Sequence, residues 1–216
     1  MNNLSTKLLY LFVFVFFIAC QEKEQQGDRE EAIAKAENSK EEKTSGAVAF
    51  EQAFDLGKVK MMVHIPNTTT DNLITINPEG FENMKDPFTT KIEGIVREGY
   101  QADLNGDGFQ EIYLFEYSIG SGTYGKVHAF ASFGDKSFGP IYMPEMTEDL
   151  AKGYMGHDRF YIKDDLLVRE FPLYNESDTN AKPTGGNRVI KYSLEKGEAG
   201  FILKPKKGRD QIKLGF

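Results

Sequence analysis

Three groups of side chains in this 216-residue chain have types and spacing that could do chemistry. The first is Asp103-Leu104-Asn105-Gly106-Asp107-Gly108-Phe109-Gln110-Glu111. Oxygen side chains stand at relative positions 1, 3, 5 and 9 with glycine at 6, which matches most of a calcium loop. Position 12, where an EF-hand carries its bidentate glutamate, is Leu114. Asp103, Asn105, Asp107 and Glu111 are thus candidate calcium ligands that need further oxygens from outside the loop, and calcium is the one cofactor suggested. The same spacing also builds a tight turn, in which Asn and Asp accept from nearby backbone amides and the glycines take positive φ. Both readings stand at this point.

The second group is Ser118-Ile119-Gly120-Ser121-Gly122-Thr123-Tyr124-Gly125. It lies between two strand-like runs and reads as a hairpin tip. Gly120 and Gly122 let the backbone bend and protrude, while Ser121 and Tyr124 offer hydroxyl donors three positions apart. Such a tip suits insertion into a cleft lined by carboxylates; composition alone reads as a flexible turn. The third group is Gly153-Tyr154-Met155-Gly156-His157-Asp158 together with Asp178-Thr179-Asn180-Ala181-Lys182-Pro183-Thr184-Gly185-Gly186, from which His157, Asp158 and Asn180 emerge as a candidate secondary interface. Catalysis is disfavoured. His64, His128 and His157 are the only histidines, and none is spaced with Cys, Asp or Glu as in a metal site or a catalytic triad.

A fourth reactive position lies near the N-terminus. Lys7 precedes Leu8–Ala19, an uncharged apolar run that matches the hydrophobic region of a signal peptide and is shorter than the roughly 20 residues a spanning helix needs. Phe17-Ile18-Ala19-Cys20 follows where a lipobox belongs, with Phe17 in place of the usual leucine. Cys20 is the only cysteine, so it can form no internal disulfide, and a lone thiol at the cleavage point is explained by lipidation. Gln21–Gly46 then carries eight acidic residues against five basic ones and almost no large apolar side chains, the composition of a disordered tether. The expected organisation is a lipoprotein signal peptide at 1–19, the lipidated Cys20 with its tether at 20–46, and one domain at 47–216. An outer-membrane lipoprotein follows, facing either the periplasm or the cell surface.

The elements that must position these groups read as β throughout. Val59, Met61, Val63 and Ile65 alternate with Lys58, Lys60, Met62 and His64, and Ile190, Tyr192 and Leu194 with Val189, Lys191 and Ser193, the period of a half-buried strand. Ile112–Tyr117 is apolar on both faces apart from Glu116, as expected of a central strand. Further strands are expected at Phe50–Leu56, Leu73–Asn77, Val127–Phe133, Phe138–Met143, Phe160–Lys163, Leu166–Phe171 and Phe201–Lys204, with one or two helical turns at Thr147–Lys152. Many short strands with frequent turns predict an all-β fold, an antiparallel β-sandwich or barrel. The net charge of −7 and the absence of a basic stripe interleaved with aromatics argue against a nucleic-acid partner.

Taken in order, the four blocks Asp-Leu-Asn-Gly-Asp-Gly, Gly-Ser-Gly-Thr-Tyr-Gly, Gly-Tyr-Met-Gly-His-Asp and Asp-Thr-Asn-Ala-Lys-Pro-Thr-Gly-Gly resemble the periplasmic inhibitors of invertebrate-type lysozyme, from about Phe50 to Phe201. The resemblance implies a β-sandwich that presents a Ser-Gly-x-Tyr loop to the lysozyme active-site groove. Those roles fall on Ser121 and Tyr124, with Gly120 and Gly122 permitting close approach. Thr123 stands where relatives often have serine, and the lipid anchor and acidic tether are additions to the pattern. The implied partners are lysozyme and, through Cys20, a membrane, with a homodimer left open. A calcium-dependent surface lipoprotein that binds glycan or protein is the alternative.

Overall fold

The computed structural model describes residues 48–207 and the backbone of Ile212–Lys213. Cys20, the signal peptide and the tether at 20–46 lie outside the described residues. The alternation read from the sequence becomes strands β1 (Phe50–Asp55), β2 (Lys60–Ile65) and β3 (Asn72–Glu79), to which β4 (Phe88–Ile92) adds a fourth. Hairpin by hairpin they form one antiparallel sheet in the order β1-β2-β3-β4. A second sheet follows with β5 (Ile95–Ala102), β6 (Glu111–Tyr117), β7 (Gly125–Phe133) and β8 (Ser137–Ile141), again in sequence order. After a single turn of helix, α1 (Glu148–Ala151) capped by Thr147, the chain builds a third sheet from β9 (Arg159–Lys163), β10 (Leu166–Pro172), β11 (Asn187–Lys196) and β12 (Phe201–Pro205). A short β13 (Ile212–Lys213) pairs with the start of β11.

The all-β, antiparallel, sandwich-like fold expected from the sequence is the fold found, built among the described residues from three sheets and two cores. Ile112 and Leu114 of β6, with Phe130 of β7 and Phe138 of β8, pack against Phe54, Met61, Val63, Ile65, Ile74 and Ile76 of the first sheet. Tyr113, Phe115 and Tyr117, on the opposite face of β6, pack with Ala129 and Ala131 against Phe160, Leu167, Phe171, Ile190, Tyr192 and Leu194 of the third sheet. The central sheet therefore has both faces covered, and every residue of β6 is buried. This is why its sequence lacks the in–out alternation of β2.

Strands β4 and β5, like the two-residue β13, are elements that pattern reading passed over. β5 is an edge strand with a register irregularity between Val96 and Glu98, and Arg97, Glu98, Tyr100 and Gln101 give it no regular alternation. A bulge of this kind shifts the side chains beyond it to the other face, which erases the period-2 signal. Among the described residues no helix is long and apolar enough to cross a membrane.

Because β6 belongs to both cores, Leu114→Ala should cost roughly 2–5 kcal/mol and Phe115→Ala roughly 3–5 kcal/mol. Both variants should still unfold in one transition. Urea melts followed by circular dichroism and by tyrosine emission (the chain has ten tyrosines and no tryptophan) check this, and separate midpoints for the two probes would show that the cores fold independently.

Candidate functional site

At the start of β6 the Asp103 loop is organised by its own carboxylates. Asp103 accepts from the amides of Gly106, Asp107 and Gly108 at 2.7, 3.2 and 2.9 Å. Asn105 Oδ1 accepts from the Asp107 amide at 2.9 Å, and Asp107 accepts from the Phe109 amide at 2.9 Å. These are the local turn bonds that the Asn and Asp spacing predicts. The same folding brings Asp103, Asp107 and Glu111 together, with one carboxylate oxygen of each inside a 4.8 Å group. Asn105 Nδ2 donates to Asp107 Oδ2 at 3.0 Å, so in this arrangement its amide turns a donor toward the carboxylate. Asp103, Asp107 and Glu111 are the residues that could hold a hard cation here.

Glu111 differs from the other two in being buried. It accepts from the Leu104 amide at 2.9 Å and from the Tyr113 hydroxyl at 3.1 Å. Burial pushes its pKa up to about 7, against the pull of those two donors and with help from the charges of Asp103 and Asp107.

At the other end of β6 the hairpin tip is closed by Ser118, whose amide donates to the Tyr124 carbonyl at 2.8 Å and whose hydroxyl accepts from the Tyr124 amide at 2.9 Å. Two distant segments then dock on it. The His157 amide donates to the Gly122 carbonyl at 2.5 Å, and the Asp158 amide to the Thr123 carbonyl at 3.2 Å. Asn180 Nδ2 donates to the Ser121 carbonyl at 3.2 Å. Four consecutive carbonyls of the tip, from Ser121 to Tyr124, are thus each held by a protein donor. Gly156, at φ +87°, lies so close to Gly122 that a Cβ would collide with the Gly122 carbonyl, and a Cβ on Gly122 would collide with the Tyr124 ring. Glycine is required at 156 by the backbone it approaches, whereas a side chain at 122 would have to displace the Tyr124 ring.

What this scaffold presents is polar and aromatic. Tyr124 is 49% exposed and Ile119 51%, and Ser121 is exposed beside them. Among the described residues the Ser121 and Tyr124 hydroxyls have no hydrogen-bond partner. The Tyr124 ring stands edge-on to Tyr154, with centroids 5.6 Å apart. Met155, 42% exposed, neighbours Gly156 on the docked segment.

Of the third group, His157 and Asn180 are at the surface and joined, Nε2 to Oδ1 at 3.2 Å, and the His157 ring lies over Tyr174. Asp158 is buried beneath the tip rather than displayed on it. It accepts from the Gly125 amide at 2.7 Å, from Arg169 Nε at 2.7 Å, from Arg169 Nη2 at 3.1 Å, and from the Tyr154 hydroxyl. Burial works against the Arg169 charge, but Asp158 outweighs it and holds the guanidinium firmly protonated. Burial together with the adjacent Asp158 carboxylate raises the Tyr154 hydroxyl, so it remains a donor. Arg169 and Tyr154 are the site residues that sequence reading missed. The one available signal was a lone arginine inside the apolar run Leu166-Leu167-Val168-Arg169, which requires a buried partner but does not say which.

The other histidines are also engaged. His64 pairs with Glu51 at 3.0 Å on the surface. His128 pairs at 2.6 Å with the buried Glu116, which also accepts from the amides of Glu93 and Gly94.

The raised Glu111 pKa has a stability consequence. The unfolded chain loses this proton near pH 4.5, whereas the folded chain keeps it up to about pH 7. Folding without metal should therefore be progressively destabilised as pH rises through that window, by on the order of 3 kcal/mol above it. Glu111→Gln should flatten the dependence and be the more stable protein at pH 8. Denaturant melts in chelator across pH 4 to 8 measure it, and a variant with the parent's pH profile would refute the assignment.

Comparison with family models, with characterised proteins and with solved structures finds no match for this chain, so the reading of the site rests on its own residues.

Proposed function

We propose that this chain is a proteinaceous inhibitor of lysozyme, of the invertebrate type in the first instance, and that the Ser121-Gly122-Thr123-Tyr124 tip enters the enzyme's active-site cleft. The observation that carries the reading is an exposed tip with two unpartnered hydroxyls, Ser121 and Tyr124, on a backbone held at four successive carbonyls. The motif resemblance is its second support. Lysozymes work through a pair of carboxylates flanking the scissile bond. A hydroxyl donating to a carboxylate forms a charge-assisted hydrogen bond worth roughly 1.5–3 kcal/mol net. The Tyr124 ring and Ile119 supply apolar area around those donors, and the protruding tip excludes the glycan chain sterically. A complete contact would resemble a standard interface of ~1,600 Å². On this reading the chain is no enzyme, its partner is a lysozyme, and lipidation of Cys20 holds it at the outer membrane, where it shields peptidoglycan.

A second reading keeps its own observation. The Asp103, Asp107 and Glu111 carboxylates converge, as a calcium-dependent surface lipoprotein binding glycan or protein would require. The two readings separate on chelation, since inhibition through the tip needs no metal. In the second case millimolar calcium should raise the melting temperature by several degrees through preferential binding to the folded state, and Asp107→Ala should abolish the rise.

Tyr124→Ala should weaken inhibition of an invertebrate-type lysozyme by more than about 2 kcal/mol, because it removes a ring and a hydroxyl from the centre of the contact. Ser121→Ala should cost on the order of 1–3 kcal/mol by leaving a carboxylate unpaired. Circular dichroism should match the parent for both. Turbidity assays with peptidoglycan test this, and full inhibition by both folded variants would reduce the tip to a turn. For the anchor, Cys20→Ser should abolish metabolic labelling with a fatty-acid analogue; a labelled mutant would disprove lipidation there.

A further inference from the structure

We infer that the buried Asp158, Arg169 and Tyr154 cluster is the positioning device of the recognition surface, locking the hairpin tip to the 153–158 segment in one preformed contact face; the inference rests on the inhibitor reading above. The Asp158 side chain has no solvent exposure and that of Arg169 only 10%. An ion pair so placed is a poor source of net stability, because desolvating both charges offsets most of their attraction, and well-packed apolar residues would serve the core as well. What the pair does that apolar residues could not is hold polar groups in register. The carboxylate of Asp158 accepts from the Gly125 amide at the root of the tip. Its own amide and that of His157 hold the Thr123 and Gly122 carbonyls. Tyr154 closes the arrangement: its hydroxyl donates to Asp158 and accepts from Arg169 Nη2 at 2.9 Å, while its ring meets Tyr124. Arg169 in turn lies over the rings of Tyr154, Phe160 and Phe171 at 5.1, 5.5 and 5.6 Å, which fixes the guanidinium from the core side.

The third loop is tied in separately. Asn180 reaches the Ser121 carbonyl and the His157 ring. Its own segment is braced by Asp178, which accepts from the Asn175 and Thr184 amides at 2.8 and 2.7 Å and from the Thr184 hydroxyl at 2.7 Å. Ile119, Ser121, Tyr124, Met155 and His157 therefore stand on backbone already ordered in the free protein. Ordering a flexible tip on binding would cost conformational entropy at each residue, and a locked tip avoids that loss. The partner that fits is a protein with a concave, carboxylate-lined cleft. Asp158, Arg169 and Tyr154 would not touch it; they act through the tip.

The test uses Tyr154→Phe, which retains the ring packing but removes the hydroxyl, alongside Arg169→Lys, Arg169→Met and the contact variant Tyr124→Ala. Inhibition of an invertebrate-type lysozyme is measured with amide hydrogen exchange and thermal melting. For Tyr154→Phe, exchange at Gly125, His157 and Asp158 should quicken at least about tenfold while Leu114 and Phe115 on β6 remain protected, and inhibition should weaken by about tenfold. Arg169→Lys should retain more inhibition than Arg169→Met. A purely structural role would move the β6 amides together with the tip. Unchanged exchange at Gly125, or loosened loops with undiminished inhibition while Tyr124→Ala is inactive, overturns the lock. If Tyr124→Ala inhibits as well as the parent, the inhibitor reading itself fails and takes this inference with it.

Discussion

A strand buried on both faces has nowhere to put an unsatisfied polar atom, and β6 is such a strand. Glu111–Tyr117 lies between two cores, so its two carboxylates must find buried donors. Glu111 finds the Leu104 amide and Tyr113; Glu116 finds His128 and the amides of the β4–β5 turn. Each solution organises a loop. Glu111 draws the Asp103 turn against the start of the strand, and Glu116 fixes the turn that joins the first sheet to the central one. Beyond Tyr117 the same strand runs directly into the hairpin tip.

The two candidate sites consequently stand at opposite ends of one rigid element. Seven residues of extended chain separate them by roughly 20 Å. A cation among Asp103, Asp107 and Glu111 would therefore be no ligand to a molecule held by Ser121 and Tyr124, and each site can be tested without the other. The central position of β6 also explains why a tip on its end can act as a firm probe: its base is anchored in both cores.

Polar satisfaction governs the tip as well. Loops that protrude usually exchange their hydrogen bonds with water; here the carbonyls from Ser121 to Tyr124 are answered by Asn180, His157, Asp158 and Ser118. The cost of arranging this is a buried ion pair, Asp158 with Arg169, and a glycine at 156, where no side chain would fit. Such an investment in rigidity is expected of a surface that must meet a partner in one geometry.

The sequence by itself determined the all-β class, most of the strands, the buried character of Ile112–Tyr117 and the turn chemistry of the Asp103 loop. All of these are local: period-2 alternation, short apolar runs and Asn, Asp and Gly spacing are written within a few residues. It also singled out Ser121 with Tyr124, and His157 and Asp158 with Asn180, without joining the first group to the second. Only the tertiary structure decided that the sheets number three, since the count depends on which faces of β6 and β7 meet which partners. It alone placed β4, and also β5, whose bulge and edge position erase the alternation there. And it alone joined the hairpin tip to His157, Asp158 and Asn180 and set Arg169 and Tyr154 beneath it. Those pairings span up to 59 residues of chain between Ser121 and Asn180. A charged residue in an apolar run announces that it needs a partner, but burial and distance select the partner, and both exist only once the sheets have packed.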